Sequence, residues 1–307
     1  MKGLWLLLTP GLLWAVLRLF GLEIGFLVQA FAFTPYVAAW TVLPMIIALA
    51  RRRWPESAAA ATAVVIMAWC VLPRALPDHD HGPDRGVRIT VMTINMFIGA
   101  ADPGAIVTLV REHDVDVLAV QEFSPMARMG LTNAGLDALL PNNALADEVG
   151  TTGSGLYSRF PIVKSHSERG GGGNMQVYAT IKPPGTAALD VVSAHPLAPY
   201  STEVLKLWKS DLAAEPKADI LLGDFNSTLD HAPVRRLIAR GGYRDAADAT
   251  GRGLLGTWGP YAGKPVPPVT LDHVLAARRI GIRDVQVHGV KGSDHRSVLA
   301  ALVIPTA

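Results

Sequence analysis

One segment organises this chain, and it runs Ile220-Leu-Leu-Gly-Asp224-Phe-Asn226-Ser-Thr-Leu-Asp230. Its apolar beginning predicts a buried strand that stops at Gly223. If the strand direction persists, Asp224 and Asn226 point to the same side, where a carboxylate beside a carboxamide can hold and deprotonate a water molecule. The competing interpretation is an Asx turn that leads into a helix starting near Asp230. Alone, the segment favours the turn, so its meaning depends on the rest of the chain.

Six further polar residues occupy the same kind of position, at the point where an apolar run stops. Each has an ordinary explanation when taken alone, such as a surface acid for Glu122 or a buried, hydrogen-bonded histidine for His195. Polar groups at strand ends converge on one rim of a domain, however, and these residue types bind a hard cation and a phosphate. The sequence therefore predicts a site built from the segment above and from Asn95, Glu122, His195, Asp272, Asp294 and His295.

Strands alternate with only a few helices after residue 86, which predicts a layered α/β sandwich and not a strict βαβ repeat. The Gly170–Gly173 tract is expected to form a mobile loop. Predicted helices cover residues 103–113, 202–214 and 230–240, with Asp102 as the N-cap of the first and Gly241-Gly242 closing the last. Predicted strands cover residues 87–94, 116–120, 154–158, 176–181, 189–194, 271–276, 282–288 and 297–303.

The first 77 residues are almost entirely apolar and predict a membrane anchor. A span needs about 20 apolar residues, so three spans fit, at residues 4–20, 24–50 and 57–73. A membrane helix tolerates Pro35 and Pro44 better than a soluble helix does. The rival interpretation is a cleaved signal peptide with Ala30-Phe-Ala32 as its cleavage site. Because the apolar run continues well beyond that point, anchoring is favoured.

Basic residues predict the orientation of this anchor. With three spans, Lys2 and Arg51-Arg52-Arg53 lie on the cytoplasmic side, so the chain from Asp78 onward lies outside the cytoplasm. Arg18 and Arg74 oppose this orientation, but more weakly than the triple does. The expected location is therefore the cell membrane, with a multi-pass anchor and an extracytoplasmic domain. The only cysteine, Cys70, lies in the third predicted span, so it excludes an intrachain disulfide without indicating a redox compartment.

The charge of the chain is divided unequally between its two parts. Up to Pro77 there are six basic and two acidic residues, whereas the remainder carries 22 basic and 24 acidic ones. The second part therefore lacks the basic excess expected of a protein that grips many nucleic-acid phosphates. Residues 78–86 are polar and rich in turn residues, which predicts a linker. The alternating Asp and His residues of this linker could bind a metal, but a solvated spacer is favoured. Residues 87–307 are long enough for one domain with a sizeable core.

An ordered set of short motifs in this domain resembles the endonuclease/exonuclease/phosphatase superfamily, which includes DNase I-like nucleases, sphingomyelinases and inositol polyphosphate 5-phosphatases. The resemblance covers about residues 87–304 and implies a four-layer α/β sandwich of the DNase I type. The membrane part lies outside it. The motifs that carry it are Thr93-Ile-Asn95, Val120-Gln-Glu122, Gly155-Leu-Tyr-Ser-Arg-Phe-Pro161, Ser193-Ala-His195, Gly223-Asp-Phe-Asn226, Thr257-Trp258, Leu271-Asp-His273 and Ser293-Asp-His295.

The resemblance implies a metal site in this domain. Glu122 would be the principal ligand of a Mg²⁺ ion, with Mn²⁺ as the alternative, and Asn95 would lie close by. Asp294 would support the metal or its waters. One departure is visible, because many nuclease members carry a charged residue two positions after the first Asn, where this chain has Phe97. The resemblance therefore does not extend to a second metal or a DNA-backbone contact at that position.

The resemblance also implies the catalytic roles. Asp224 would orient and deprotonate the attacking water, and Asn226 would help to position that water and the phosphate. His195 would donate to a phosphoryl oxygen, and His295 would do so from the opposite side while Asp272 holds it. A nearby anion keeps such an imidazole protonated near neutral pH, and a cationic donor stabilises charge that grows in the transition state.

Three hypotheses for the substrate follow. With its predicted membrane spans and roughly neutral outward domain, the chain resembles the bacterial membrane-anchored branch of the superfamily, which includes teicoplanin-resistance-associated membrane phosphatases. That similarity implies a lipid-linked phosphate or pyrophosphate at the surface of the lipid bilayer. The second hypothesis is an extracytoplasmic nuclease that hydrolyses nucleic-acid phosphodiesters. The third is a catalytically silent protein that binds phosphorylated ligands, which is disfavoured because no expected catalytic position is replaced. No protein partner is indicated.

Overall fold

Two six-stranded sheets form the centre of the C-terminal part in the computed structural model, which describes residues 2–260 and 266–306. The predicted end of the domain at residue 307 lies outside the described residues. In chain order the strands are β1 (Val87–Asn95), β2 (Val117–Gln121), β3 (Asn142–Ala146), β4 (Ser154–Ser158), β5 (Ile162–Arg169), β6 (Met175–Ile181), β7 (Leu189–Ala194), β8 (Ile220–Asp224), β9 (Tyr243–Asp245), β10 (Asp272–Ala277), β11 (Gly281–Gly289) and β12 (Arg296–Ile304).

Both sheets are mixed, and each has one parallel pair of neighbouring strands. The first sheet has the order β11-β12-β1-β2-β4-β3, with β1 and β2 parallel. The second has the order β5-β6-β7-β8-β10-β9, with β7 and β8 parallel. Parallel neighbours end at the same edge of a sheet, and an antiparallel neighbour begins there. The carboxyl ends of β1, β2, β7 and β8 and the beginning of β10 can therefore supply one common rim.

Helices cover the outer face of each sheet. Apolar side chains between the sheets include Val91, Ile220 and Val274. Helices α5–α7 pack on the outer face of the first sheet, and α8 and α9 pack on that of the second. The predicted four-layer α/β sandwich is therefore present. The helices are α1 (Lys2–Phe20), α2 (Leu27–Phe31), α3 (Thr34–Ala50), α4 (Trp54–Val71), α5 (Pro103–Glu112), α6 (Pro125–Asn133), α7 (Leu136–Leu139), α8 (Leu205–Ala214), α9 (Ala232–Gly241) and α10 (Ala246–Ala249).

The predicted strands all occur, with their ends displaced by at most one residue. The strands β3, β5 and β9 were not predicted. They form edges of the two sheets, and β5 exposes nearly all of its side chains. An edge strand pairs on one side only, so its sequence can be polar throughout and lacks the apolar signal of a central strand. The Gly170–Gly173 tract joins β5 to β6 as a hairpin turn, and the backbone N–H of Gly172 donates to Asp211 over 3.1 Å.

The linker follows the surface of the sandwich. The backbone N–H of Asp78 donates to the carbonyl of Ala249 over 2.9 Å, and that of Ile282 donates to the carbonyl of His81 over 2.8 Å. Arg244 also pairs with the carboxylate of Asp80 at 3.2 Å. These contacts attach residues 78–86 to the domain along most of their length.

Two helical stretches, Gly3–Phe20 and Trp54–Ala75, are long and apolar enough to cross a membrane. The prediction of one continuous span over residues 24–50 is wrong, because that region forms the short helix α2 followed by α3. The backbone of Gly25 is left-handed at φ 53°, and Pro35, which lacks an N–H, lies in the first turn of α3. Helix α3 has 17 residues and a length of about 26 Å, slightly less than the hydrocarbon core of about 30 Å.

Helices α1, α3 and α4 pack against one another through small and flexible side chains, among them Ala15, Ala63 and Met67. Their outward faces are apolar, and Leu6 and Trp69 are 75% and 79% exposed. Monomeric soluble proteins rarely expose apolar surface on this scale. These helices therefore present a surface suited to lipid.

Candidate active site

Strand register brings the predicted site residues to one rim of the sandwich. Asn95 is paired with Gln121, so Glu122 follows directly beside it. Ala194 is paired with Gly223, which places His195 next to Asp224 in the same way. Asp272 is paired directly with Asp224 across β8 and β10. A side chain at Gly223 would overlap the carbonyl oxygen of Ala194, so the close approach of β7 and β8 at this rim requires glycine.

Asp224 lies at the centre of the rim, and both of its carboxylate oxygens are held. The backbone N–H of Asn226 donates to Oδ1 over 2.8 Å, and Nδ2 of Asn95 donates to Oδ2 over 2.9 Å. The first of these contacts is the Asx turn that competed with a catalytic role in the sequence. The turn and the site residue are one feature, because the turn orients the carboxylate. The strand does not continue to Asn226, whose φ is 48° and whose Nδ2 donates to the carbonyl of Pro196.

Two histidines flank this carboxylate. Nε2 of His295 lies 3.7 Å from Oδ2 of Asp224, and Nε2 of His195 lies 4.0 Å from the same oxygen. On its other side, Nδ1–H of His295 donates to Oδ2 of Asp272 over 2.9 Å. Nδ1 of His195 is buried and has no hydrogen-bond partner among the described residues. The predicted Asp272–His295 pair is thus formed, and both imidazoles present Nε2 to one place.

The two imidazoles have opposite pKa shifts. Burial lowers the pKa of His195, and the neighbouring carboxylate of Asp224 only partly opposes this, so His195 is neutral near pH 7. Burial would also lower the pKa of His295, but the carboxylates of Asp272 and Asp224 outweigh it and raise that pKa to about 10. His295 is therefore a cation at neutral pH, and His195 is a neutral ring.

Glu122 lies on the other side of Asn95. Nδ2 of Asn95 donates to Oε1 of Glu122 over 3.1 Å, and the backbone N–H of Ile98 donates to Oε2 over 2.7 Å. Burial raises the pKa of this carboxyl, although the two hydrogen bonds act in the opposite direction. The carboxamide of Asn95 thus bridges Glu122 and Asp224, while its oxygen accepts the backbone N–H of Phe97 over 2.9 Å.

Backbone strain is concentrated around these groups. Glu122, Asn226, Phe97 and Ile98 all have left-handed φ values between 48° and 57°. Residues other than glycine rarely adopt this conformation. It persists where the surrounding structure enforces it, and such positions are frequent in active sites. The tight turns after β1, β2 and β8 place these side chains on the rim.

Five of the predicted site residues line a cavity of about 440 Å³, and Asn95, His195 and Asp272 are not among its lining residues. Its polar part is formed by Glu122, Asp224, Asn226, Asp294 and His295. The remaining wall is largely apolar, and it includes Phe97, Ile98, Ala198, Tyr200, Trp258, Val269 and Leu271 together with Ala32 and Phe33 from the N-terminal part.

The donor set fits a hard divalent cation. Glu122 and Asp294 offer carboxylate oxygens to the cavity, and Oδ1 of Asp294 is buried without a hydrogen-bond partner among the described residues. Mg²⁺ prefers oxygen ligands, keeps several waters and needs only one or two carboxylates. Asp224, Asp272 and His295 also bring ligand atoms within 4.8 Å of one another, but a protonated imidazole that already donates to Asp272 has no lone pair for a metal.

Two residues at the rim were not assigned a function from the sequence. Nε1 of Trp258 donates to Oδ2 of Asp294 over 3.0 Å. The hydroxyl of Thr257 accepts the backbone N–H of Asp272 over 3.0 Å and thereby positions the partner of His295. Both belong to the Thr257-Trp258 motif, so a signal was present in the sequence without a function attached to it. Asp230 was read as the start of α9, but it is a buried ion-pair partner of Arg18 and Arg74.

Replacing Asp272 by Asn should lower the pKa of His295 from about 10 toward 6.5, because the amide removes the nearest negative charge. Because the pKa of His295 is higher in the folded protein than in the unfolded chain, its protonated ring stabilises the fold. This stabilisation is complete below pH 6.5 and is lost as the pH rises through about 10. NMR titration of Cε1-labelled histidines in the metal-free protein measures the change. Asp190→Asn, at an exposed carboxylate that accepts from Thr180, is the control. An unchanged His295 titration in Asp272→Asn would contradict the assignment.

Comparison with solved structures identifies proteins that have a similar fold. The crystal structure of an endonuclease/exonuclease/phosphatase from Beutenbergia cavernae DSM 12333 is similar, with a TM-score of 0.56 and 18% identity over 72% of each chain. Sphingomyelinase C from Streptomyces griseocarneus has a TM-score of 0.51 and 16% identity over 70% of this chain and 99% of its own. D. rerio TDP2 complexed with single-strand DNA product has a TM-score of 0.53 and 16% identity over 70% and 98%. At these identities the likeness concerns the fold.

A comparison with curated protein sequences found no match. The model of the Endonuclease/Exonuclease/phosphatase family, in contrast, matches residues 92–295, which is well over half of the chain. The matched region begins within β1 and ends on His295, so it contains every residue of the rim described above. The chain therefore belongs to the endonuclease/exonuclease/phosphatase family, and it is a hydrolase of phosphoric esters.

Proposed function

We propose that this enzyme is a membrane-anchored, Mg²⁺-dependent phosphohydrolase that cleaves a lipid-linked phosphoester or pyrophosphate outside the cytoplasmic membrane. The observation that carries the proposal is the cavity, which joins Asp224 and His295 to a largely apolar wall. A phosphate can approach the polar end of such a cavity while an apolar group occupies the rest. Phe97 and Ile98 add to this wall at the position where many nuclease members carry a charged residue.

In the proposed reaction Asp224 accepts the proton of the attacking water. The hydrogen bonds from Asn95 and from the backbone of Asn226 hold its carboxylate in one orientation, so the water is positioned as well as activated. A positioned general base typically contributes 10²–10⁴ in rate. Asn226 lines the same cavity, and its carboxamide is proposed to help position that water and the phosphate.

The two histidines act on the phosphoryl oxygens. The imidazolium of His295 is held by Asp272 and brings a positive charge to the place where negative charge grows. His195, as a neutral ring, donates a hydrogen bond from Nε2 and adds no charge. Because both Nε2 atoms lie within 4.0 Å of the same oxygen of Asp224, a phosphoryl group beside that oxygen can be contacted by both.

Enzymes of this family depend on a divalent metal ion, and Glu122 and Asp294, with Asn95 nearby, are the residues proposed to hold it here. When bound, Mg²⁺ supplies positive charge to the transferring group and to the leaving oxygen. The structure is compatible with this assignment because Glu122 and Asp294 face the same cavity as Asp224.

The basic residues at the ends of the N-terminal helices support the proposed orientation of the anchor. Arg18 and Arg74, which oppose the proposed orientation in the sequence, both pair with Asp230 of the sandwich. They therefore lie on the side of the catalytic domain as bound groups and not as free loop charges. The Arg51–Arg53 triple joins α3 to α4 at the opposite end of the helices, where the positive-inside rule puts the cytoplasm. A reporter fused to the C-terminus should behave as extracytoplasmic, and a cytoplasmic reporter would contradict the proposed topology.

Removing the metal should abolish activity. Chelation with EDTA should lower the rate by about a thousandfold or more, because a Lewis-acid metal contributes several kcal/mol and each 1.36 kcal/mol is a factor of ten. Added Mg²⁺ should restore the rate, and the Glu122→Gln variant should need a higher Mg²⁺ concentration. Phosphate release with and without chelator measures the effect. Full activity in EDTA would rule out a metal-dependent mechanism.

A phosphate-release screen in Mg²⁺ tests the substrate. The panel contains lipid pyrophosphates, phosphoinositides, sphingomyelin and DNA, and the lipid substrates are presented in detergent micelles. A lipid enzyme should depend on the micelle concentration. The alternative, an extracytoplasmic nuclease, is kept because the fold is shared with a TDP2 complexed with single-strand DNA product. Cleavage of DNA with a steep decrease at higher salt would favour that alternative.

A further inference from the structure

The catalytic cavity is lined by two separate parts of the chain. One part is the sandwich, which supplies the polar groups. The other is the short stretch around α2, from which Gln29, Ala32 and Phe33 face the same space. This stretch precedes the sandwich by more than 50 residues and belongs to the apolar N-terminal part. The anchor therefore contributes directly to the pocket in which the phosphate reacts.

The stretch around α2 is fixed to the sandwich by specific contacts. Val28 is fully buried in the cluster that contains Trp208 and Leu221. Its carbonyl accepts Nε2–H of His231 over 2.8 Å. Nε2 of Gln29 donates to the carbonyl of Pro199 over 2.6 Å. These bonds hold α2 in place beside the cavity.

A buried ion-pair cluster fixes the adjoining helices. Nε of Arg18, at the end of α1, and Nη2 of Arg74, just beyond α4, each lie 2.6 Å from Oδ1 of Asp230. The Asp230 side chain is completely buried, and the two arginine side chains are 8% and 7% exposed. Glu23 accepts the backbone N–H of Ala232 at the start of α9. The N-terminal helices thus meet the sandwich through charges that water does not reach.

The outward side of the same stretch is strongly apolar. Phe20, Ile24 and Phe26 are 70%, 66% and 75% exposed. Apolar surface of this extent beside membrane-length helices is suited to contact with lipid. The stretch around α2 therefore combines an exposed apolar side with residues that line the cavity, so an amphiphilic molecule can lay its apolar end against Ala32 and Phe33 while its phosphate reaches Asp224.

We propose that α2 and the start of α3 form the binding wall for the apolar chain of the substrate, with Phe33 as a specificity-determining residue. The inference rests on the proposed function and refines it, since the anchor then selects the substrate as well as locating the enzyme. The substrate class is a phosphoester or pyrophosphate that carries a long hydrocarbon chain next to the phosphate. Phe33 contacts that chain and takes no part in the chemistry.

The test compares two pyrophosphates that differ only in chain length, farnesyl pyrophosphate and dimethylallyl pyrophosphate, with the full-length protein in detergent. Phe33→Ala should raise KM for the farnesyl compound by about tenfold to a hundredfold, as expected for the loss of one buried aromatic contact. Its kinetics with the dimethylallyl compound should stay unchanged. Phe33→Leu keeps an apolar group and should restore most of the affinity. Phe26→Ala, at an exposed side chain of the same stretch that does not line the cavity, should behave as wild type.

The outcomes separate this inference from the function on which it rests. If the wild-type protein prefers the farnesyl compound and Phe33→Ala retains that preference, the binding wall is elsewhere and the proposed function stands. If the wild-type protein cleaves both compounds equally, or neither, the lipid-linked function itself is overturned together with the inference. Equal losses on both substrates in Phe33→Ala, without rescue by Leu, would show that Phe33 is only structural.

Discussion

Replacing Asp224 by Asn should lower kcat by about a thousandfold, within the range of 10²–10⁴ typical of a general base. The amide is nearly the same size, and its oxygen can still accept the backbone N–H of Asn226. It cannot accept a proton from water, however. The loss should therefore appear in kcat while KM stays within a few-fold of wild type, because substrate binding does not require the proton acceptor.

The measurement is steady-state phosphate release with Mg²⁺ present. Far-UV circular dichroism and the thermal midpoint show whether the variant is folded. Asp190→Asn serves as the matched control, since that carboxylate lies away from the cavity and accepts from Thr180. An Asp224→Asn or Asp224→Ala protein that kept full activity on every phosphoester tested would end the assigned mechanism.

Replacing Asp230 by Ala should destabilise the junction of the N-terminal helices and the sandwich by about 3–5 kcal/mol, the usual cost of leaving a buried charge without its partner. The reason is that Arg18 and Arg74 would remain buried with no carboxylate between them. Burial alone would raise the pKa of Asp230, but Arg74 and Arg18 outweigh it and hold that pKa below 3.8. The pairs therefore stabilise the protein above pH 3.8, and the stabilisation is lost as the pH falls through the lowered pKa.

Denaturant unfolding in detergent measures this cost, and hydrogen exchange of residues 27–33 shows whether α2 leaves the cavity. The control is Asp147→Ala, which removes a partly exposed pair with Arg128 and should cost no more than about 1 kcal/mol. Because α2 lines the cavity, Asp230→Ala should also weaken binding of long-chain substrates. An unchanged unfolding midpoint and unchanged exchange at residues 27–33 would contradict the role of the cluster.

The apolar side chain of Phe97 has a physical consequence for substrate choice. It lies on the cavity wall with Ile98, and the left-handed backbone of both residues presents them beside Glu122. An apolar group there does not attract a nucleic-acid backbone, and the C-terminal part has no basic excess to compensate. The same group is favourable beside a hydrocarbon chain.

The positions of most strands along the chain, and the polar residues that end them, could be predicted from the chain alone. Apolar runs such as residues 189–194 mark buried strands locally, and the polar residues that end them, such as His195 and Asp224, are visible without knowledge of the fold. Asp102 likewise caps α5 as predicted, because capping depends only on residues two or three positions away. Edge strands such as β5 escaped prediction because they need no buried face.

Tertiary structure alone decided how the N-terminal part meets the site. The sequence shows Asp230 as a helix start and Arg18 as a basic residue near a span end, and nothing local links two residues 212 positions apart. The pairing appears only when both are withdrawn from water, where each charge needs the other. The same holds for Phe33, which in the sequence is one more apolar residue of the N-terminal part and which folding places in the cavity that Asp224 also lines. Periodicity reports which side chains avoid water, whereas only packing determines which of them share a cavity.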